Sequence, residues 1–273
     1  MKKIYTLLLP IRKFVYKSLF ELDKLFETDG KKIVIYCYHS IANDNWKYSV
    51  DLSMFKLQIN HLLKKYRPMS VRDMEMVLLG IKTLNDSSFV LTFDDGHRSI
   101  LAVKDFLKQK GIVPALFICA KPEEISEEEF PLLSHLLGIN EIIGLAESYG
   151  WEIGCHGATH TDLSKLSVQG LYNEINLAKK RLEQVLGLKI NYFAYPRGKY
   201  NQKAIRAVEK AGFKLAFTVD DGLVNSQTEF LKIPRQTIER SYLFEEFQTI
   251  SSPSTLRLKS FLIKTPMKSL MQK

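Results

Sequence analysis

The chain has 273 residues, of which 45% are hydrophobic and 25% charged, ordinary values for a soluble globular protein with a sizeable core. Its formal net charge of +9 admits nucleic acid, anionic lipid or an acidic polymer as a partner, but no nucleic-acid-binding motif accompanies it and nucleic acid is set aside. Three widely spaced cysteines, Cys37, Cys119 and Cys155, form no C-x-x-C pair. They argue against a disulfide framework or a cysteine zinc knuckle, and read as buried free thiols in a reducing compartment.

In chain order, residues 1–30 are basic and place Ile4, Leu8, Ile11, Val15, Leu19, Leu22 and Phe26 at near-helical spacing. The run IYTLLLP is too short to span a bilayer and lacks a cleavage site for a signal peptide. An amphipathic helix is expected there, lying on an anionic membrane surface or packed on the domain. Residues 31–250 alternate short apolar runs with helical patterns. KIVIYCYHS reads as a strand ending at His39, and DLSMFKLQINHLLKKY as a helix starting near Asp51. SSFVLTFDDG is a strand, SILAVKDFLKQKG a helix closed by Gly111, and VPALFICA a strand. FPLLSHLLGINEIIGLAESYG is helical with a break near Gly138, and WEIGCHGATH is a strand and loop. SVQGLYNEINLAKKRLEQVLG is a long helix, INYFAYPRGKYN a strand and loop, and QKAIRAVEKAG a helix. FKLAFTVD and FLKIPRQTI are the last strands, and residues 251–273 form a basic tail. Strands regularly separated by helices imply a parallel sheet, here a closed or nearly closed β/α barrel.

The chemically distinctive residues fall just past strand ends: His39, Asp94, Asp95, His156, His160 and the turn Tyr195–Gly198. In a β/α barrel those ends share one face, where segments distant in sequence meet. Two adjacent carboxylates at the end of an apolar strand repel each other and resist desolvation, so they call for a cation. HGATH supplies two histidines four apart, a spacing that lets both aim at one ion. Two histidines and one carboxylate make an open divalent-metal site, with the second carboxylate left as a base.

TFDDG, HGATH and FAYPRGKYN together resemble the first three motifs of the polysaccharide deacetylases, carbohydrate esterase family 4 or NodB-homology enzymes. YCYHSI and LKIPRQTI resemble a permuted branch of that family. The resemblance implies a distorted β/α barrel and a hydrolase acting on a carbon–nitrogen bond. Its expected reaction is removal of N-acetyl groups from amino sugars of a glycan by metal-activated water, with zinc as the expected ion. By resemblance, Asp94 is the catalytic base and Asp95, His156 and His160 are the metal ligands. The Arg197 backbone N–H would stabilise the oxyanion. Two departures stand out. Ala194 replaces the arginine that often opens the third motif, and no histidine follows His160 to supply the acid. His39 matches the acid of the permuted branch, and Arg235 of PRQTI is a candidate partner for Asp94.

Other readings remain open. The basic ends fit a deacylase or deformylase acting on a lipid-linked amino sugar at a membrane. The departures fit a catalytically silent glycan-binding module. A cytoplasmic or peripheral-membrane location is expected over secretion. Among lesser features, His97 is expected only to cap the next helix. Trp46 and Tyr48 could stack on sugar rings, Trp151 packs in the core, and Glu123–Phe130 is a solvated acidic run.

Overall fold

The computed structural model of the chain describes residues 14–23, 25, 30–125 and 135–263. Eight strands form one parallel sheet: β1 (Ile33–Tyr38), β2 (Arg67–Pro68), β3 (Ser88–Asp94), β4 (Ala115–Ile118), β5 (Glu152–Cys155), β6 (Tyr192–Ala194), β7 (Leu215–Phe217) and β8 (Gln236–Thr237). They run in the order β7-β6-β5-β4-β3-β1-β8, with β2 paired to the start of β3. Ile233 pairs with Phe217 of β7, so the segment leading into β8 nearly closes the barrel. All these strands are short, and β1 and β3 are buried along their whole length. That explains their unbroken apolar runs, since parallel strands are covered on both faces.

The helices are α1 (residues 14–23), α2 (Leu52–Lys65), α3 (Val71–Leu78), α4 (Lys104–Gln109), α5 (Ile139–Tyr149), α6 (Val168–Leu171), α7 (Ala178–Leu186), α8 (Gln202–Lys210), α9 (Phe244–Phe247) and α10 (Pro253–Ile263). A π-helical turn over Tyr172–Leu177 joins α6 to α7. Local chemistry sets several boundaries. The Asp51 carboxylate caps α2 by accepting from the N–H groups of Ser53 and Met54. Gly187 ends α7 at φ 67°, a conformation open to glycine without penalty. Of the helical stretch expected from Phe130 with a break near Gly138, the part after the break is α5, and residues 126–134 lie outside the described part. β2 and α3 had no counterpart among the expected elements, because two residues are too few to show alternation.

The two ends of the described chain meet. Asp23 of α1 accepts from the backbone N–H and hydroxyl of Ser254 at the start of α10, at 2.9 and 2.6 Å. Tyr16 is buried against the main core. The buried Lys259 of α10 bonds Asp221 and Gln236. Part of the tail expected from residue 251 is thus a packed helix, while residues 264–273, like Ile4, Leu8, Ile11 and Phe26, lie outside the described residues. Among the described residues, no helix is long and apolar enough to cross a membrane. All three cysteines are free and buried.

Candidate metal and catalytic site

Sheet register assembles the site. Tyr38 of β1 pairs with Phe93, so His39 leaves β1 level with Asp94. Asp94 pairs with Phe117 of β4, and Phe117 with Gly154 of β5, so Asp95 and His156 emerge from the same end of the sheet. Asp94, Asp95 and His156 are all buried. Among the described residues, three non-glycines have positive φ: Asp95 (72°), His160 (57°) and Arg197 (57°). Each follows a different strand at this one face. Left-handed backbone in side-chain-bearing residues costs about 1–3 kcal/mol each and clusters at functional sites.

Asp94 is held by Arg235. The guanidinium donates Nη1–H to Oδ1 and Nη2–H to Oδ2, both at 2.7 Å. Further donations to Thr92 Oγ1 (3.1 Å) and the Thr218 carbonyl (2.9 Å) fix its plane. Arg235 is fully buried, with its guanidinium over the rings of Phe117 and Phe217. Burial alone would raise the Asp94 pKa, but the Arg235 charge, with help from His156, holds it below the usual carboxylate value. Asp94 is therefore ionised and fixed in orientation.

Asp95 faces the histidines instead. Its Oδ1 lies 3.6 Å from His156 Nε2 and 3.5 Å from His160 Nε2, and makes no hydrogen bond. The three donor atoms of Asp95, His156 and His160 lie within 4.8 Å of one another. His156 Nδ1 is 2.8 Å from the Ala194 carbonyl. That carbonyl can only accept, so Nδ1 carries a proton and Nε2 is the ring atom turned towards Asp95. Burial pushes His160 down to about 4, so its ring is neutral at pH 7. Burial opposes ionisation of Asp95, yet the His97 side chain beside it acts the other way, and its pKa lies below the usual range. Two imidazole Nε2 atoms and an orphaned carboxylate oxygen aimed at one point are the donor set a divalent cation takes. The residues present fit such an ion.

His39 stands beside Asp94. Cys37 Sγ, a His39 ring nitrogen and an Asp94 oxygen lie within 4.8 Å of one another. His39 stacks on Tyr48 at 4.7 Å and meets Trp46 edge-on at 5.9 Å, while its buried Nδ1 has no hydrogen-bond partner. Burial lowers its pKa against the pull of Asp95 and Asp94, so the ring is neutral near pH 7. Arg197, itself exposed, lies on the turn Pro196–Gly198 just past β6. The structure thus brings Asp94, Asp95, His156, His160, His39 and Arg235 together, and sets Arg197 at the same sheet end. Trp151, as expected, is core, stacked on Phe93 at 5.3 Å.

One expectation needs correction. His97 occupies the cap position of the stretch Arg98–Val103, but its side chain makes no capping hydrogen bond. Its Nε2 instead lies 3.7 Å from Asp95 Oδ2, and its ring packs on Trp46 at 4.7 Å. Glu174, unnoticed in the helical run YNEINL, is buried behind the HGATH loop. Its only sequence signal is an acid on the apolar side of the helix. A cavity of about 630 Å³ opens at the opposite end of the strands, lined by Arg72, Glu152, Lys189 and Tyr192 among others. None of the candidate metal or catalytic residues lines it.

The sequence of residues 81–216 matches the model of the family described as Polysaccharide deacetylase. A putative polysaccharide deacetylase of Bacillus subtilis is 23% identical over 197 residues, covering 70% of this chain and 66% of its own length. The poly-β-1,6-N-acetyl-D-glucosamine N-deacetylase of Escherichia coli K12 is 25% identical over 242 residues, covering 76% of this chain. The match spans only 36% of that protein. Among solved structures, IcaB from Ammonifex degensii superposes with a TM-score of 0.71 at 21% identity, covering 83% of this chain and 98% of that one. The Streptococcus pyogenes deacetylase PplD superposes at 0.67 and 21% identity, covering 77% and 93%. These likenesses show a shared fold, the NodB-type β/α barrel. With the family match, they make the chain a member of the polysaccharide deacetylase family.

Proposed function

We propose that the protein is a metal-dependent hydrolase that removes N-acetyl groups from amino sugars of a glycan. The observation that carries this reading is the convergence of Asp95, His156 and His160 on one point beside an ionised Asp94. Family membership supports the reaction class, and the name of the E. coli relative supports an N-acetylglucosamine polymer as substrate. Asp95, His156 and His160 would hold the ion, and their mixed nitrogen and oxygen set suits zinc. When bound, the ion supplies Lewis acidity and lowers the pKa of water towards about 7. That matters because Asp94, with its depressed pKa, is too weak a base for ordinary water.

The chain's own groups then divide the proton transfers. Asp94 accepts a proton from the attacking water, with Arg235 keeping the carboxylate ionised until then. The leaving amine needs a proton as the carbon–nitrogen bond breaks, and we assign that donation to His39. His39 is neutral beforehand, and its closeness to Asp94 offers a short path for the captured proton. The Arg197 backbone N–H is assigned to the developing oxyanion. Trp46 and Tyr48, beside His39, would stack on a sugar ring. Acetate release from N-acetylglucosamine oligomers tests the reading. Asp94→Asn should lose about 10²- to 10⁴-fold in turnover while still binding zinc. Unchanged turnover in that variant would remove the base assignment.

One feature favours a peripheral-membrane setting and a lipid-linked substrate. α1 leaves Phe14 73% exposed, and Leu25 just beyond it is 78% exposed, next to the basic N-terminal sequence. Flotation with anionic vesicles should recover the full chain, and recovery should fall in Phe14→Ser/Leu22→Ser/Leu25→Ser. Equal recovery of the two proteins would refute this contact.

A further inference from the structure

We propose that Glu174 is a positioning residue for the metal-binding histidines, an inference that rests on the metal reading of Asp95, His156 and His160 above. Its carboxylate lies behind the HGATH loop and makes three bonds into it. Oε2 accepts the backbone N–H of Ala158 at 2.9 Å and of Thr159 at 3.0 Å. Oε1 accepts the Thr159 hydroxyl at 2.8 Å. From the other side, the backbone N–H groups of Ala120 and Lys121 bond the carbonyls of Gly157 and Ala158 at 3.0 and 2.9 Å. The peptide groups between the two histidines are therefore gripped from both faces. Gly157 fits this grip closely. At φ 80° its missing Cβ would meet Pro196 at 3.2 Å and Glu174 Oε2 at 3.3 Å.

The grip reaches His160 through its neighbour Thr159. His156 is tied in addition by the Ile118 carbonyl at its backbone N–H and the Ala194 carbonyl at its ring. His160 sits one residue past the clamped Thr159 in a left-handed conformation that an unclamped chain would relax. Glu174 itself lies in the π-helical turn Tyr172–Leu177, a local widening often found at functional sites. The clamp thus holds His160 Nε2 at 3.5 Å from Asp95 Oδ1. Partners of this outer kind typically govern metal affinity by about 10- to 100-fold.

Affinity for Zn²⁺ and Co²⁺, measured by chelator competition on the full chain, tests the proposal, with the Co²⁺ absorption spectrum reporting ligand geometry. Glu174→Ala leaves two backbone N–H groups without an acceptor and should weaken binding about 10- to 100-fold. Glu174→Asp keeps the charge but falls short of the loop, and should lose similarly. Glu174→Gln can place its oxygen on both N–H groups and donate to the Thr159 hydroxyl, so its affinity should stay within about threefold of wild type. Since the effect runs through His160, Glu174→Ala should cost less than about threefold in a His160→Ala background. Wild-type affinity and spectrum in Glu174→Ala would overturn the proposal, as would an equal loss in both backgrounds. Should Glu174→Ala not fold, Glu174→Asp makes the same comparison. A wild-type protein that takes up neither ion would remove the metal reading and this inference with it, whereas tight binding insensitive to Glu174 would remove the inference alone.

Discussion

Replacing Arg235 with Met tests the pair that holds Asp94, the proposed base. Met roughly fills the space among Phe117, Phe217 and Thr92, but leaves Asp94 ionised, buried and without a counter-charge. Two charge-assisted bonds at 2.7 Å are lost, each contributing about 1.5–3 kcal/mol. Removing one member of a buried pair typically costs about 3–5 kcal/mol, in the same range. The pH dependence should change sign as well. The Asp94 pKa is depressed by folding, so the wild-type pair contributes fully above the unfolded carboxylate pKa of about 3.9 and loses its contribution as pH falls through the lower folded value. Without the guanidinium, burial dominates and raises that pKa, so Arg235→Met should gain stability as pH drops from 7.5 towards 5. Urea unfolding followed by circular dichroism in the presence of chelator reads both effects. The expected loss at pH 7.5 is about 3–5 kcal/mol, shrinking by at least about 2 kcal/mol in an Asp94→Asn background. A loss below about 1 kcal/mol at pH 7.5, or the same loss in both backgrounds, would refute the reasoning.

Three other outcomes follow from particular residues. His39→Gln should lower kcat about 10²- to 10⁴-fold and leave zinc affinity unchanged, so unaltered turnover would exclude it as the acid. At the opposite end of the barrel, burial raises Glu152 to about 6 against the N–H groups of Val71 and Arg72 that it accepts. This raised value favours the folded state while Glu152 is protonated, an advantage lost as pH rises through about 6. Relative to Glu152→Gln, the wild type should lose about 2 kcal/mol between pH 4.5 and 7 in urea titrations, and a flat difference would contradict the assignment. Gly154→Ala would drive a methyl into the Phe117 ring, lowering stability by about 1–3 kcal/mol, and an unchanged Tm would show that the strands can part there.

The barrel was legible because its strands are buried on both faces. Runs such as FVLTF and ALFI therefore stand out from the helices between them, and the polar residues ending each run mark one common face. β2 and α3 were not legible, since a two-residue strand has no period and VRDMEMVL carries an acid on its buried face. That acid is Glu75, bonded there by Tyr192 and Lys214. Within the site, Asp94, Asp95, His156 and His160 could be grouped because unusual residue types sat at strand ends. Arg235 was harder to see. The bridge of Ile233 to β7 and the pairing of β8 with β1 are what bring PRQTI to Asp94. His97 and Glu174 were hidden for a related reason, since a histidine after a turn and a glutamate in a helix are ordinary until the packing behind Asp95 and the HGATH loop is known.

Anomalous diffraction at the zinc edge, from crystals of the full chain grown with zinc, tests the central claim most directly. The account predicts one peak at about 2.0–2.2 Å from His156 Nε2, His160 Nε2 and a carboxylate oxygen of Asp95, with Asp94 still on Arg235 and outside the coordination shell. No peak there, or an ion taken by Asp94 in place of Asp95, would contradict it.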